Sequence, residues 1–272
     1  MPAREPRTVP AARGVHWARE GLEFFAAAPA VWIGITLLFM LMGVVLSIIP
    51  FAGMLWSVVV PIHAGGLMLG CRAMRQGRPL EVRHLFNGFE APRLQPLALV
   101  GALYLAGSLL IMLPVIALVL ASTFLSAFAL GSTGGSIGAF TSAALLGVAV
   151  VVLTMAAGML LSFALWFAPA LVVFDQFEAL DALKSSLRAG WCNVGAFLVY
   201  SLVLLGVGLV AISPLLAAIL LVAARRGEAG PMAVVVIGGT GCFALLCILL
   251  LIPPMWGAMY ASYEDVFDPP GT

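Results

Sequence analysis

Charge is what this sequence has least of. Thirteen Lys or Arg and twelve Asp or Glu make up 9% of its 272 residues, against about 25% in an ordinary water-soluble domain. Sixty-three per cent of the chain is hydrophobic, which leaves too little polar surface for a fold in water. Four windows hold no charge at all: 24–71, 94–174, 189–224 and 229–263, of 48, 81, 36 and 35 residues. A helix crosses a bilayer with about 20. The net charge of +1 says nothing about a nucleic-acid partner, and none is expected.

Catalytic patterns are missing as well. There is no GxSxG, no HExxH and no phosphate-binding loop. The four cysteines, Cys71, Cys192, Cys242 and Cys247, include no CxxC pair and read as small core or lipid-facing residues. His16 and His84 read as lacking a carboxylate or thiol at ligand spacing, so no metal or cofactor is expected. The carboxylates Glu81, Glu90, Asp175, Glu178, Asp181, Glu264, Asp265 and Asp268 read as solvated or paired with nearby bases. Enzymatic activity is therefore not expected.

What is present is a set of membrane spans. The first window turns at Ile49-Pro50-Phe51-Ala52-Gly53 and the second at the Gly/Ser-rich stretch 131–138, which is too polar and flexible to sit as helix in lipid. The other two windows give one span each. The expected fold is all-α: a polytopic membrane bundle of six transmembrane helices with short cytoplasmic amphipathic helices. Residues 1–13 are expected as a disordered tail, 14–267 as one membrane domain and 268–272 as a second tail. Small residues at 26–28 precede the apolar segment instead of following it, so the first span is expected to stay as an anchor and not to be cleaved.

Eleven of the thirteen basic residues fall on one side of this topology, and only Arg225 and Arg226 on the other. The positive-inside rule places both termini in the cytoplasm of a bacterial inner membrane. One charged island stands out, 175–193, reading DQFEALDALKSSLRAGWCN. Phe177, Leu180, Leu183, Leu187 and Trp191 recur at helical spacing as an apolar stripe. Asp175 and Glu178 resemble a capping box, and Asp181 and Lys184 stand at i, i+3. The island reads as an amphipathic helix, either lying on lipid at the boundary or packed beneath the bundle.

A coarse threefold repeat follows: cytoplasmic amphipathic segment, span, outer turn, span, in units of about 14–72, 78–174 and 175–263. The third and fourth spans hold 36 residues each (95–130 and 139–174). That is about 54 Å of helix against a hydrocarbon core of about 30 Å, so projection, tilt or a break is needed. Pro114 offers a kink and Pro169 an end; Pro214 and Pro253-Pro254 interrupt the last two spans. Gly66-Leu-Met-Leu-Gly70 fits a close-packing motif of membrane helices. The six tryptophans fall mostly near predicted ends, as an aromatic belt would place them.

Two groups of candidate functional residues result. His63, in Pro61-Ile-His-Ala-Gly-Gly66, is an ionisable group inside a span. It is either part of a proton or substrate path or a neutral imidazole bonded to a carbonyl freed by Pro61. Arg72, Arg75, Arg78, Arg83, Lys184, Arg188 and Trp191 are candidates for contact with the phospholipid bilayer, including anionic lipid, or with a protein.

Phe24-Phe25 with Pro29-Ala-Val-Trp32, His84-Leu-Phe-Asn-Gly-Phe89, Trp166-Phe-Ala-Pro-Ala-Leu-Val172, Ala182-Leu-Lys-Ser-Ser-Leu187 and Ser262-Tyr-Glu-Asp-Val-Phe267 resemble an uncharacterised proteobacterial inner-membrane family with six predicted helices. The resemblance runs from about Gly14 to Phe267 and implies a fold and a location. More loosely, the Ala-Leu-Lys-Ser-Ser stretch is similar to the integral-membrane domain found beside some glycerophosphodiester phosphodiesterases, whose acid and histidine motifs are absent here. A non-enzymatic lipid- or protein-interacting membrane component is expected first. A transporter or channel for a small or lipidic solute comes next, and a membrane enzyme last.

Overall fold

A computed structural model describes residues 5–131, 137–224 and 230–267. Among these, the secondary structure is entirely helical. Its elements are α1 (Arg13–Ala27), α2 (Pro29–Ile48), α3 (Ala52–Arg75), a 3-10 segment (Val82–Phe89) and α4 (Leu94–Gly131). They continue with α5 (Ile137–Trp166), α6 (Ala168–Asp175), α7 (Ala179–Cys192), α8 (Val194–Ala224) and α9 (Pro231–Phe267). Six stretches are long and apolar enough to cross a membrane: α2, α3, α4, α5 continued by α6, α8 and α9. The chain is an all-α polytopic membrane bundle, as its composition requires. The second outer turn, the pair Arg225-Arg226 and the C-terminal tail fall wholly or mainly outside the described residues.

The prolines expected to interrupt the spans do not break them. Pro114 and Pro214 lie inside α4 and α8, and Pro253-Pro254 inside α9. Pro169 was expected to end a helix, but it stands in the first turn of α6, where its missing N–H costs nothing. The break lies two residues earlier, at Phe167, and Ser186 bridges it. The Ser186 hydroxyl donates to the Phe163 carbonyl at 2.6 Å and accepts the Phe167 N–H at 2.9 Å.

Span α3 is the centre of the bundle. Fifty-six per cent of its most apolar window is buried, against 0–17% for the other spans. Its Gly66 admits the backbone of the 3-10 segment, while Gly65 and Gly70 admit side chains. A Cβ on Gly66 would lie 2.2 Å from the His84 carbonyl oxygen, and a Cβ on Gly88 1.9 Å from that of Ile62. The Gly66–Gly70 motif thus seats the 3-10 segment, and its partner is not another long helix.

The element order runs short segment, span, span three times, and the packing closes it into a ring. The 3-10 segment packs chiefly on α3, α7 on α5, and α1 on α9. Each short segment therefore rests on the last span of the unit before it, with the first unit resting on the third. A glycine marks each contact: Gly88 against Ile62, Gly190 against Phe163 and Gly21 against Pro254, where an added Cβ would lie 1.9, 2.6 and 2.2 Å from the nearest atom.

The core lies at the charged end of this ring, where Trp17, Trp32, Leu67, Leu85, Phe167, Leu171 and Tyr263 are buried. Farther along the spans Leu110, Leu153, Val210 and Leu220 are exposed, and Gly206, Gly208, Gly238 and Gly239 face open space. Between lipid tails and leucine there is no hydrophobic gain from association, so spans need not close along their whole length.

Several expectations are corrected here. No capping box forms at Asp175–Glu178. Asp175 ends α6, followed by Gln176 at φ 57°, and its Oδ2 accepts the Tyr263 hydroxyl at 2.7 Å. Helix α7 starts at Ala179, and Glu178 makes no side-chain cap. The stripe of large residues is divided: Phe177, Leu183 and Leu187 pack half-buried against the core. The fully buried positions of α7 are Ala179, Ala182, Ser186, Ala189 and Gly190, small enough to let α7 approach α5 closely. Leu180 and Trp191 are exposed. Asp181 and Lys184 form no ion pair among the described residues.

The N-terminal stretch expected to be disordered is fixed from Arg7 onward. The Arg7 N–H donates to Val266 O at 3.1 Å, and the Val9 N–H donates to Asn193 Oδ1 at 2.7 Å. Three tryptophans are internal cross-links instead of belt residues. Trp17 Nε1 donates to Asp265, Trp32 Nε1 to the Phe24 carbonyl, and Trp166 Nε1 to Ser262. A buried indole N–H needs such an acceptor.

Candidate functional site

The charged end is built from the last turns of α3 and α9, the whole of α1 and the turn after α3. Gly77, at φ +75°, ends α3 with the Arg78 N–H donating to Ala73 O at 2.9 Å. Such a left-handed cap favours glycine, and it turns the chain so that Arg78 stands exposed beside α1. Arg75 lies between two carboxylates, Glu20 of α1 and Glu264 of α9 (2.8 Å to the latter), with its guanidinium 4.9 Å from the Phe24 ring centroid. His16 Nε2 meets Glu20 Oε1 at 2.7 Å. His16, read from sequence as lacking a carboxylate, has one a single helical turn away.

Beside this cluster, Asp265 is nearly buried. It takes Arg13 bidentately, Nε to Oδ2 at 2.6 Å and Nη2 to Oδ1 at 2.5 Å, and Trp17 Nε1 at 2.7 Å. Arg7 donates to its backbone carbonyl. Asn193 Nδ2 donates to Arg7 O at 3.0 Å and Ala189 O at 2.9 Å. These groups clamp the two ends of the described chain together.

The sequence-predicted contact residues therefore divide. Arg75 is engaged inside the protein, and Arg72 stacks over Phe174 at 3.5 Å. Arg83 pairs with Glu81 at 2.7 Å, and Arg78 donates to Gln76 at 2.5 Å. Lys184, Arg188 and Trp191 are exposed on α7, opposite its buried small-residue face, and Lys184 and Arg188 form no ion pair among the described residues. The structure does not bring the α7 group and the α3 group into one patch with Arg72 or Arg75 as free members.

His63 is fully buried. Its Nδ1 lies 2.8 Å from the Leu85 carbonyl of the 3-10 segment, and Nε2 has no partner. The carbonyl it meets is thus not one freed by Pro61. Four rings surround it: Phe89 at 5.2 Å, Phe39 at 5.6 Å, Phe86 at 5.8 Å and Trp56 at 6.0 Å between centroids. Among the described residues no cluster of three His, Cys, Asp or Glu could hold a metal, and no disulfide is formed by the four cysteines.

Sequence reasoning did not assign Arg13, Trp17, Glu20, Ser186 or Asn193 to any cluster. A signal existed for the acids: Glu264 and Asp265 stand immediately beyond an uncharged window of 35 residues, where an acid at the membrane boundary meets the predicted basic side. Asn193 and Ser186 carried none, since their partners are backbone atoms remote in sequence.

One curated relative resembles the chain over most of its length: a "probable inner membrane protein" of Burkholderia thailandensis, 29% identical over 199 residues, covering 71% of this chain and 73% of that one. No protein-family model matches the chain, and no solved structure matches it. The likeness to the membrane domain beside glycerophosphodiester phosphodiesterases finds no support in these comparisons.

Proposed function

We propose that this chain is a non-enzymatic component of a bacterial inner membrane, with both ends in the cytoplasm. It engages the anionic lipid surface through α7, helped by Arg78 and Arg83. The observation that carries this reading is the division of α7 into two faces. One, all small residues, is locked to α5; the other presents Lys184, Arg188 and Trp191 to the surroundings at the charged end of the bundle. Each basic residue near an anionic leaflet is worth about 1 kcal/mol, and an exposed tryptophan suits the interface. The name of the Burkholderia relative supports the inner-membrane location, and eleven basic residues on one side of the spans support the orientation.

Replacing Lys184 and Arg188 by Gln, with membrane insertion unchanged, is expected to lower the phosphatidylglycerol that copurifies in mild detergent. Unchanged retention would overturn this reading. Alkaline phosphatase fusions should be inactive at both termini.

A second reading, passage of a small or lipidic solute, is favoured by the unpartnered Nε2 of His63. It requires water to reach that atom, so a cysteine at Val59 or Ile62 would have to react with an aqueous thiol reagent.

A further inference from the structure

A cavity of about 560 Å³ opens where α1 hands over to α2, facing the end of α3 and the turn after it. Its two walls carry opposite charge. Glu20 and Glu23 come from α1, Arg75 and Arg78 from α3 and its turn, and Ala27, Ala28, Val31, Met74 and Leu80 supply apolar surface between them. The cavity sits at the first residues of a membrane span, α2 starting at Pro29, and this is the depth at which lipid headgroups lie.

We propose that this cavity is a seat for one zwitterionic phospholipid bearing a primary ammonium, a phosphatidylethanolamine. The inference shares with the proposed function only the placement of the charged end at the headgroup level; its residues, Arg78 apart, are different. The phosphate meets Arg78, whose side chain is exposed and has one neutral partner, Gln76. The ammonium meets Glu23, which is exposed and held only by the surface pair with Arg19 at 3.0 Å. Glu20 and Arg75 already neutralise each other and define the back of the cavity. The acyl chains leave along Val31 onto the exposed face of α2.

The same walls exclude the other common headgroups. An anionic lipid would bring its charge beside Glu23 with no ammonium to offset that carboxylate. A quaternary ammonium has no N–H for Glu23 and prefers aromatic faces. The aromatic ring among the lining residues is Phe24, and the Arg75 guanidinium lies over it.

The test is native mass spectrometry of the full chain exchanged into an equimolar mixture of phosphatidylethanolamine, phosphatidylglycerol and phosphatidylcholine. One retained phosphatidylethanolamine is expected. Glu23→Gln and Arg78→Gln should each lower its occupancy about tenfold, the loss of one charge-assisted hydrogen bond. Ala27→Trp, which fills the cavity without touching a charge, should abolish retention. Both charged side chains are exposed, so the melting temperature should not move and a folding defect is separable. Lys184→Gln with Arg188→Gln should leave this lipid in place while lowering phosphatidylglycerol, so the two proposals fail separately. Equal retention of phosphatidylethanolamine and phosphatidylcholine, or full retention in both charge variants, would overturn the inference.

Discussion

Arg13, the first residue of α1, and Asp265, in the last turn of α9, face each other in a two-point ion pair of 2.6 and 2.5 Å. The pair lies beneath the indole of Trp17, which gives the same carboxylate a third hydrogen bond. Removing the carboxylate orphans three donors at once, two on Arg13 and one on Trp17. Asp265→Ala is expected to destabilise the protein by about 3 kcal/mol, since breaking a largely buried pair leaves the other charge uncompensated. A double-mutant cycle with Arg13→Ala, read by thermal unfolding in detergent, should return a coupling of about 1–3 kcal/mol. Strictly additive losses would show that the pair contributes no mutual stabilisation.

Ser186 closes the gap between α5 and α6 by serving one backbone acceptor and one backbone donor. Ser186→Ala leaves both unpaired in a buried place and should cost about 2 kcal/mol. Ser186→Thr keeps the hydroxyl but adds a methyl, and should recover part of the loss. If Ala were tolerated as well as Thr, the hydroxyl would not be what joins the two helices.

The three glycines of the ring contacts are predicted to behave alike. Gly21→Ala, Gly88→Ala and Gly190→Ala each push a Cβ into an atom that lies within 2.6 Å, and overpacking of this kind costs about 1–3 kcal/mol. Gly88→Ala should do more than destabilise. It should lift the 3-10 segment from α3 and expose His63, read as reaction of a cysteine at Ile62 with an aqueous thiol reagent. Gly206→Ala and Gly238→Ala face open space and should be neutral or slightly stabilising through helix propensity.

Asn193 holds the N-terminal strap by two hydrogen bonds, one from the Val9 N–H and one to the Arg7 carbonyl, and a third to the Ala189 carbonyl fixes its own side chain at the end of α7. Asn193→Ala should free residues before α1 without unfolding the bundle. Trypsin in brief exposure should then cut after Arg7 at least about fivefold faster than in the parent, a change that matches the loss of about 1 kcal/mol of local hydrogen bonding. Equal rates would mean that the strap is kept in place by Arg7 and Val266.

The spans were legible because apolar length is a one-dimensional property. Four uncharged windows and two turn sequences sufficed for six helices. Helix α7 was legible as a helix with both placements of its stripe left open, and the stripe proves to be split: Phe177, Leu183 and Leu187 pack half-buried against the core while Leu180 and Trp191 are exposed. Next to lipid, hydrophobicity alone does not decide which side is buried. Leu180 and Trp191 lose nothing by facing a bilayer, whereas Ala182 and Gly190 permit the closest approach and so define the protein contact. Arg75 and Arg78 differ by three positions and look alike in sequence, yet only Arg75 falls between Glu20 and Glu264, residues 55 and 189 positions away. Pairings at that range depend on the ring having closed, which no local pattern records. The glycine in each short segment is the trace of the repeat that sequence comparison could have used, once contact rather than similarity was the criterion.

The ring also imposes an order in time. A chain is made from its N-terminus, so α1 emerges well before its main partner, α9. Trp17 must wait for a carboxylate 248 residues later in the chain. Throughout synthesis α1 is an amphipathic helix with its apolar face unserved, and the leaflet surface is the nearest place to rest it. A ribosome stalled before Asp265 would hold a chain in which α1 has not yet met its carboxylate on α9.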